Sequence, residues 1–202
     1  MKRYHSKKSW LLVAVFLAGG YVPQVFAAPG SDTEKRWYAG VGVSATNLTF
    51  NEANLSVAYS GGTEASFRQA GNTFKLFAGH QFDPILGVEL GVISFGEIVM
   101  DVNSRQSNVF TANAAYIDAV VTQPMFKNID FQARLGTSFW SLMDNDDNEI
   151  ESGQGLTYGV GVNIDLYGGD ERTLLIEWER YNFSGVALKE ADSVSANIKF
   201  KF

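Results

Sequence analysis

From Ser193 to Phe202 the chain alternates without a break: Val194, Ala196, Ile198, Phe200 and Phe202 are apolar, while Ser193, Ser195, Asn197, Lys199 and Lys201 are polar. Successive side chains of a strand point to opposite faces, so this segment has one greasy and one polar surface. The pattern recurs along the chain, and no stretch sustains a 3.6-residue period. Trp37, Ala39, Val41, Val43 and Ala45 alternate with Tyr38, Gly40, Gly42, Ser44 and Thr46; Phe74, Leu76, Ala78 and Phe82 oppose Thr73, Lys75, Gly79 and Gln81. Comparable alternation follows in 86–94, 114–122, 129–139, 156–166 and 173–179, which makes eight predicted strands with the closing one at 192–202. Each is about 10 residues, the length a tilted strand needs to cross a bilayer.

Charge assigns the faces. The polar sides collect Lys75, Glu89, Asp118, Arg134, Asp165, Glu177, Glu179, Lys199 and Lys201, and His80 is the one ionisable residue on an apolar side. A water-soluble barrel would hold its greasy side inside and its charges outside. The opposite is predicted here: the charges face the lumen and the apolar sides face lipid. Four bases and five acids can share an interior if they pair, since an unpaired buried ion costs several kcal/mol. On this reading Lys199 and Lys201 point toward Glu177 and Glu179 of the preceding strand.

The connections have a rhythm. Phe82–Ile85, Gln123–Asn128 and Gly168–Glu171 have the Pro, Gly and Asp chemistry of tight turns. Longer polar segments near 47–72, 95–110, 141–153 and 182–192 lie between them. Alternating short and long connections are the layout of an outer-membrane barrel, with short turns periplasmic and longer loops outside. A two-sheet sandwich does not require this rhythm. An aromatic girdle is expected at the periplasmic rim from Trp37, Phe82, Phe131, Tyr167, Phe200 and Phe202, and a second at the outer rim from Phe95, Phe139, Trp140 and Tyr181.

Composition and the amino terminus agree with export. Lys2, Arg3, Lys7 and Lys8 precede an uncharged run from Trp10 to Gly20, and small Ala27 precedes Ala28. A basic n-region, an apolar h-region and a small-residue cleavage site predict a signal peptide over 1–27, with the barrel domain at 28–202 and strands starting near 37. Removing 1–27 leaves 12 bases against 22 acids, and an acidic surface argues against nucleic acid, which requires clustered Lys and Arg. The chain has no cysteine, so no disulfide holds the exported fold.

In order, "WYAGVGVS", "FKLFAGHQFDPILGVELGV", "GLTYGVGVNIDL", "LLIEWERY" and the terminal aromatic strand resemble the OmpA-like transmembrane β-barrel domain, including small OmpX-like proteins. The resemblance spans essentially all of 28–202. It implies that Phe202 is read as a terminal signal by the barrel assembly machinery. It also implies an internal Arg–Glu/Lys network that plugs or gates the lumen, with Arg134, Glu89, Glu177 and Lys199 as counterparts by type and facing. Larger family members carry a peptidoglycan-binding domain after the barrel; that function is not expected of a chain ending on the eighth strand.

Motifs that suggest other chemistry fail on context. "GVGVSA" (Gly40 to Ala45) matches a loose dinucleotide pattern, but a strand runs through it where a strand–turn–helix is needed. "DNDDNEIE" (Asp144 to Glu151) lacks the Gly and Glu positions of a calcium loop and reads as a solvated acidic tip. His80 has no neighbouring Ser in its own strand, so a catalytic arrangement is not expected. No catalytic, cofactor or metal site is expected.

The expected fold is all-β, an eight-stranded antiparallel transmembrane up-and-down β-barrel in a Gram-negative outer membrane. The expected function is non-enzymatic: a structural and surface-interaction role, in adhesion or envelope integrity, through the extracellular loops. The alternative is a narrow ion channel gated by interior salt bridges. Expected partners are outer-membrane lipid, lipopolysaccharide, the assembly machinery and a host or surface ligand, with the protein a monomer.

Overall fold

The computed structural model describes residues 36–53, 65–70, 73–102, 105–166 and 171–202. The predicted signal peptide and Tyr167 lie outside the described residues. Among the described residues there are nine strands: β1 (Trp37–Phe50), β2 (Ala65–Ala70), β3 (Thr73–Gln81), β4 (Leu86–Val102), β5 (Arg105–Phe126), β6 (Ile129–Met143), β7 (Glu149–Asp165), β8 (Arg172–Asn182) and β9 (Leu188–Lys201). Every pairing is antiparallel, and β1 pairs with both β3 and β9 while β4 pairs with β5, so the sheet closes on itself. β2 pairs with the upper part of β4, where β3 pairs with the lower part. β2 and β3 therefore share one wall position, and the barrel has eight. Closure leaves the membrane-spanning backbone no free edge, which lipid would not tolerate.

The lower part of the barrel follows the predicted facing. Val41, Val43, Leu90, Ile117, Leu135, Val160, Ile176 and Val194 all point outward and are exposed in the isolated chain. An apolar band running round the whole wall far exceeds the patches a water-soluble monomer leaves uncovered; it is the lipid-facing surface. Trp37, Phe82, Phe131 and Phe200 are exposed at the end of the barrel that carries the short turns. Phe202 lies there too, its N–H donating to the Trp37 carbonyl at 2.8 Å. In the first tight turn the Asp83 carboxylate accepts the Leu86 and Ile85 N–H groups at 2.7 and 2.8 Å, which holds it below the usual carboxylate range.

Three inward glycines admit aromatic rings from the strand beside them. Gly40 is paired with Phe77, Gly79 with Tyr38 and Gly91 with Tyr116, and each ring lies where a Cβ would have to go. The lumen is thus filled by rings lying flat against the wall. A core of this kind leaves room in the middle for long charged side chains.

Three expectations are corrected. Three of the predicted long loops are mostly strand: β6 and β7 are joined by residues 144–148, β8 and β9 by residues 183–187, and β4 and β5 run through most of 95–110, while much of 47–72 lies outside the described residues. The closing strand starts at Leu188 rather than near 192. The predicted outer girdle is largely internal: Phe95, Trp140 and Tyr181 are buried, and only Phe139 faces out.

The common reason is that the wall continues past the lipid band, and its polarity inverts there. Beyond the band Glu97, Asn113, Asn47 and Glu190 face outward, while Ile98, Met100, Phe110, Leu142 and Leu188 pack inside. In lipid the greasy face must point out; in water it must point in. The bidentate Arg180–Asp192 pair, at 2.6 and 2.7 Å on the outer surface directly above the Trp178–Val194 pair, marks the changeover.

Val41 sits midway along the outward apolar row of β1, and Asn47 sits beyond it. Val41→Arg is expected to destabilise the barrel by about 2–4 kcal/mol, and Asn47→Arg by at most about 1 kcal/mol. Urea unfolding in lipid vesicles measures both; equal effects would place the band elsewhere.

Candidate functional site

The interior charges gather into one layer. Arg134 on β6 reaches across the lumen: Nη1 lies 2.5 Å from Glu179 Oε1 and 3.7 Å from Asp118 Oδ2, Nε lies 3.4 Å from Glu177 Oε2, and Nη2 is bonded to Glu89 Oε1. Lys75 on β3 donates to Glu177 at 2.6 Å and Glu179 at 2.8 Å. All six side chains are nearly inaccessible.

Local structure explains how they meet. Glu177 and Glu179 are two apart on β8, hence on the same face, and Gly161 and Gly159 of β7 stand opposite them. Glu89 and Asp118 are direct cross-strand partners, a like-charge pair tolerated because Arg134 stands between them and the β8 acids.

Hydroxyls and amides complete the layer. The Tyr38 and Tyr116 hydroxyls donate to the two Glu89 oxygens at 3.1 and 2.9 Å. Tyr181 donates to Glu179 at 3.1 Å, and Thr157 donates to Asp118. Asn197 donates to Glu177 at 3.1 Å, and Ser195 does so at 3.4 Å. Lys75 also lies 5.2 and 5.1 Å from the Phe77 and Tyr116 ring centres. Such donors are what make buried carboxylates tolerable.

The predicted network is therefore only partly one unit. Lys75, Glu89, Asp118, Arg134, Glu177 and Glu179 come together. Lys199 does not reach Glu177 or Glu179: it is paired with Thr173, four residues from Glu177 along β8, and bonds Asn163 at 2.6 Å and Gln132 at 3.5 Å. Asp165 and Lys201 lie at the turn end, partly exposed, where Thr173 donates to Asp165 at 3.0 Å. Sequence reasoning does not mark the tyrosines and Phe77 as participants, although Phe77 shares its strand parity with Lys75, Tyr116 with Asp118 and Tyr181 with Glu179. The partners themselves had no sequence signal: the hydrogen-bonded ion pairs join residues 45 to 104 apart.

Above this layer the lumen is packed with apolar side chains. The Phe183 ring lies 5.4 Å from Phe95 and 5.3 Å from Trp140, and Phe95 lies 5.0 Å from Tyr181. Glu151, from the top of β7, accepts the N–H groups of Val186, Ala187 and Leu188 and ties the β8–β9 connection over the mouth. In the acidic tip, Asp144 accepts from the Asp146 and Asn148 N–H groups, both at 2.9 Å, and is thereby held below the usual carboxylate range. His80 is outward, its ring 4.4 Å from Trp37 and 5.4 Å from Phe82, within the rim aromatics. No cluster of metal-ligating side chains occurs among the described residues.

A closed wall of eight strands, greasy toward lipid and charged within, defines an integral β-barrel of the outer-membrane class. The chain belongs to the outer membrane protein beta-barrel domain family, whose model matches residues 12–202. Among solved structures it resembles Ail, the attachment invasion locus protein of Yersinia pestis (11% identity, 83% of this chain and 99% of that one, TM-score 0.53). It also resembles Neisserial surface protein A (13%, 82% and 97%, TM-score 0.55) and the outer membrane protein AlkL (12%, 90% and 97%, TM-score 0.54). At these identities the likeness is one of fold. No curated protein matches the chain.

Arg134 neutralises acids on two opposite walls, so its removal leaves several buried carboxylates uncompensated. Arg134→Met should cost about 3–5 kcal/mol. Lys199→Met, which removes a cation bonded to neutral amides, should cost clearly less. Denaturation in detergent micelles gives both values, and the reverse order would displace Arg134 from the centre of the layer.

Proposed function

We propose that this protein is a non-enzymatic structural and surface-interaction barrel of the Gram-negative outer membrane, exported by the predicted signal peptide and working as a monomer. The observation that carries the reading is the filled lumen. An eight-stranded interior is only wide enough for side chains, and here the charged layer is buried and capped by an apolar core. What remains available for partners is the lipid-facing wall and the end that projects outside.

That end is acidic. Among the described residues Glu97, Asp144, Asp146, Asp147, Glu149 and Glu190 outnumber Arg68 and Lys189. The charge suits a basic partner, or lipopolysaccharide phosphates bridged by divalent cations, better than a polyanion. Ail, described as an attachment invasion locus protein, shares this fold. The acidic tip of this chain supports surface contact with a basic or cation-bridged partner.

A narrow channel is the second reading. One feature favours it: in the layer four carboxylates face two cations, Lys75 and Arg134, so a path opened by their displacement would select cations. Planar-bilayer recording distinguishes the two. The structural reading expects no steady conductance from the wild-type protein; steady cation-selective conductance altered by Arg134→Ala would replace it with the channel.

Assembly is proposed to depend on Phe202, whose exposed ring sits at the periplasmic rim and matches the terminal aromatic read by the assembly machinery. Deleting Phe202 should lower the folded barrel in the membrane several-fold and leave export across the inner membrane intact. Lys201→Ala should do much less. Cell fractionation with a heat-shift gel gives the comparison, and equal loss from both changes would count against a recognition role for the ring.

A further inference from the structure

The charged layer does not balance. Among the described residues it holds four carboxylates, Glu89, Asp118, Glu177 and Glu179, against two cations, Lys75 and Arg134. Lys199 is the next cation below, bonded to neutral amides and 5.0 Å from the Tyr38 ring centre. Counting it still leaves four acids against three bases. All seven side chains are buried, where a charge without compensation is strongly unfavourable.

The four acids are not served alike. Glu89 accepts from Arg134 Nη2 and from the Tyr38 and Tyr116 hydroxyls at 3.1 and 2.9 Å. Glu177 accepts from Lys75 at 2.6 Å and Asn197 at 3.1 Å, with Arg134 Nε 3.4 Å away. Glu179 accepts from Lys75 at 2.8 Å, Arg134 at 2.5 Å and Tyr181 at 3.1 Å. Each glutamate therefore has a cation within hydrogen-bonding distance. Asp118 has none. Its carboxyl accepts from the neutral Thr157 hydroxyl at Oδ1, and Arg134 Nη1 stands 3.7 Å from Oδ2. Oδ2 is buried and has no hydrogen-bond partner.

The strand neighbours explain the shortfall. Asp118 pairs across the wall with Glu89 on β4 and with Gly136 on β6. The first sets an acid directly opposite, and the second offers no side chain. The carboxyl lies against Gly136, where an added Cβ would collide with Oδ1. Arg134 from β6, Glu179 and Tyr181 from β8, Tyr116 from the same strand and Thr157 from β7 complete its surroundings. Arg134 offsets part of the repulsion between Glu89 and Asp118, but of the two it bonds Glu89.

We propose that the layer is a proton-binding site, with Asp118 holding one proton as a carboxylic acid at neutral pH. A proton needs no cavity, so it suits an interior filled by side chains. A metal ion would need converging ligands, and no such cluster occurs among the described residues. Where two carboxyls share a site, both do not ionise together. In the Glu89–Asp118 pair the three donors on Glu89 hold it as the anion. Protonated Oδ2 becomes a donor, and Glu179 Oε2 is a buried carboxylate oxygen still without a partner. With Asp118 neutral, Glu89, Glu177 and Glu179 stand against Lys75, Arg134 and Lys199, and the interior charges balance. The inference is independent of the surface-interaction reading above.

Infrared spectroscopy of the barrel in phosphatidylcholine vesicles at neutral pH reads the proton directly, because a protonated carboxyl has a C=O stretch separate from the bands of ionised carboxylates. The unmodified protein is expected to show one such band. Carbon-13 labelling of aspartate carboxyls should move it, and labelling of glutamate carboxyls should not. Asp118→Asn, with folding verified by heat shift, should lose the band. Asparagine is uncharged like the acid it replaces, so the urea midpoint of Asp118→Asn should match that of the wild type. Glu179→Gln, which removes an anion bonded to both Lys75 and Arg134, should lower the midpoint. A wild-type protein without the band, a band that follows glutamate labelling, or one that persists in Asp118→Asn would overturn the proposal, as would equal loss of stability from the two substitutions.

Discussion

The Arg134 guanidinium is the interaction on which the rest of the interior depends. It draws together acids from β4, β5 and β8, which the closed wall would otherwise hold apart with like charges facing. Lys75 could not do this alone, because an ammonium is a compact point charge while a guanidinium presents donors along two edges. The rings laid against Gly40, Gly79 and Gly91 serve the same arrangement, narrowing the lumen until the charges can touch. Burying so many ions is a poor way to gain stability. Its effect is to gather strands far apart in the chain around one filled layer.

The second constraint is the change of solvent along the barrel axis. The same eight wall positions pass from lipid to water, and the rule for which face is greasy reverses between them. Below the Arg180–Asp192 pair the barrel is polar inside and apolar outside; above it the barrel resembles an ordinary water-soluble core. The inversion leaves an apolar core resting on a charged floor.

Reading the chain with one facing rule was enough for the lipid band and failed beyond it. Phe95, Trp140 and Tyr181 are aromatics near strand ends, which is the signal for a rim girdle, yet they point inward because their strands continue past the lipid. Their parity with Ile93, Ser138 and Glu179 could have shown it. Facing and strand order alone set Lys199 near Glu177. The hairpin register decides otherwise, setting Glu177 against Ser195 and Thr173 against Lys199.

What the sequence determined by itself was whatever depends on periodicity: strand segments, which face meets lipid, and which residue types share the lumen. A period of two is a local property, enforced by the pleat, and it survives any change in the neighbours. Which charges pair and where the polarity reverses were decided only by the closed barrel. Those features depend on register, shear and the height of each residue relative to the bilayer, and each sums contributions from strands far apart in the chain.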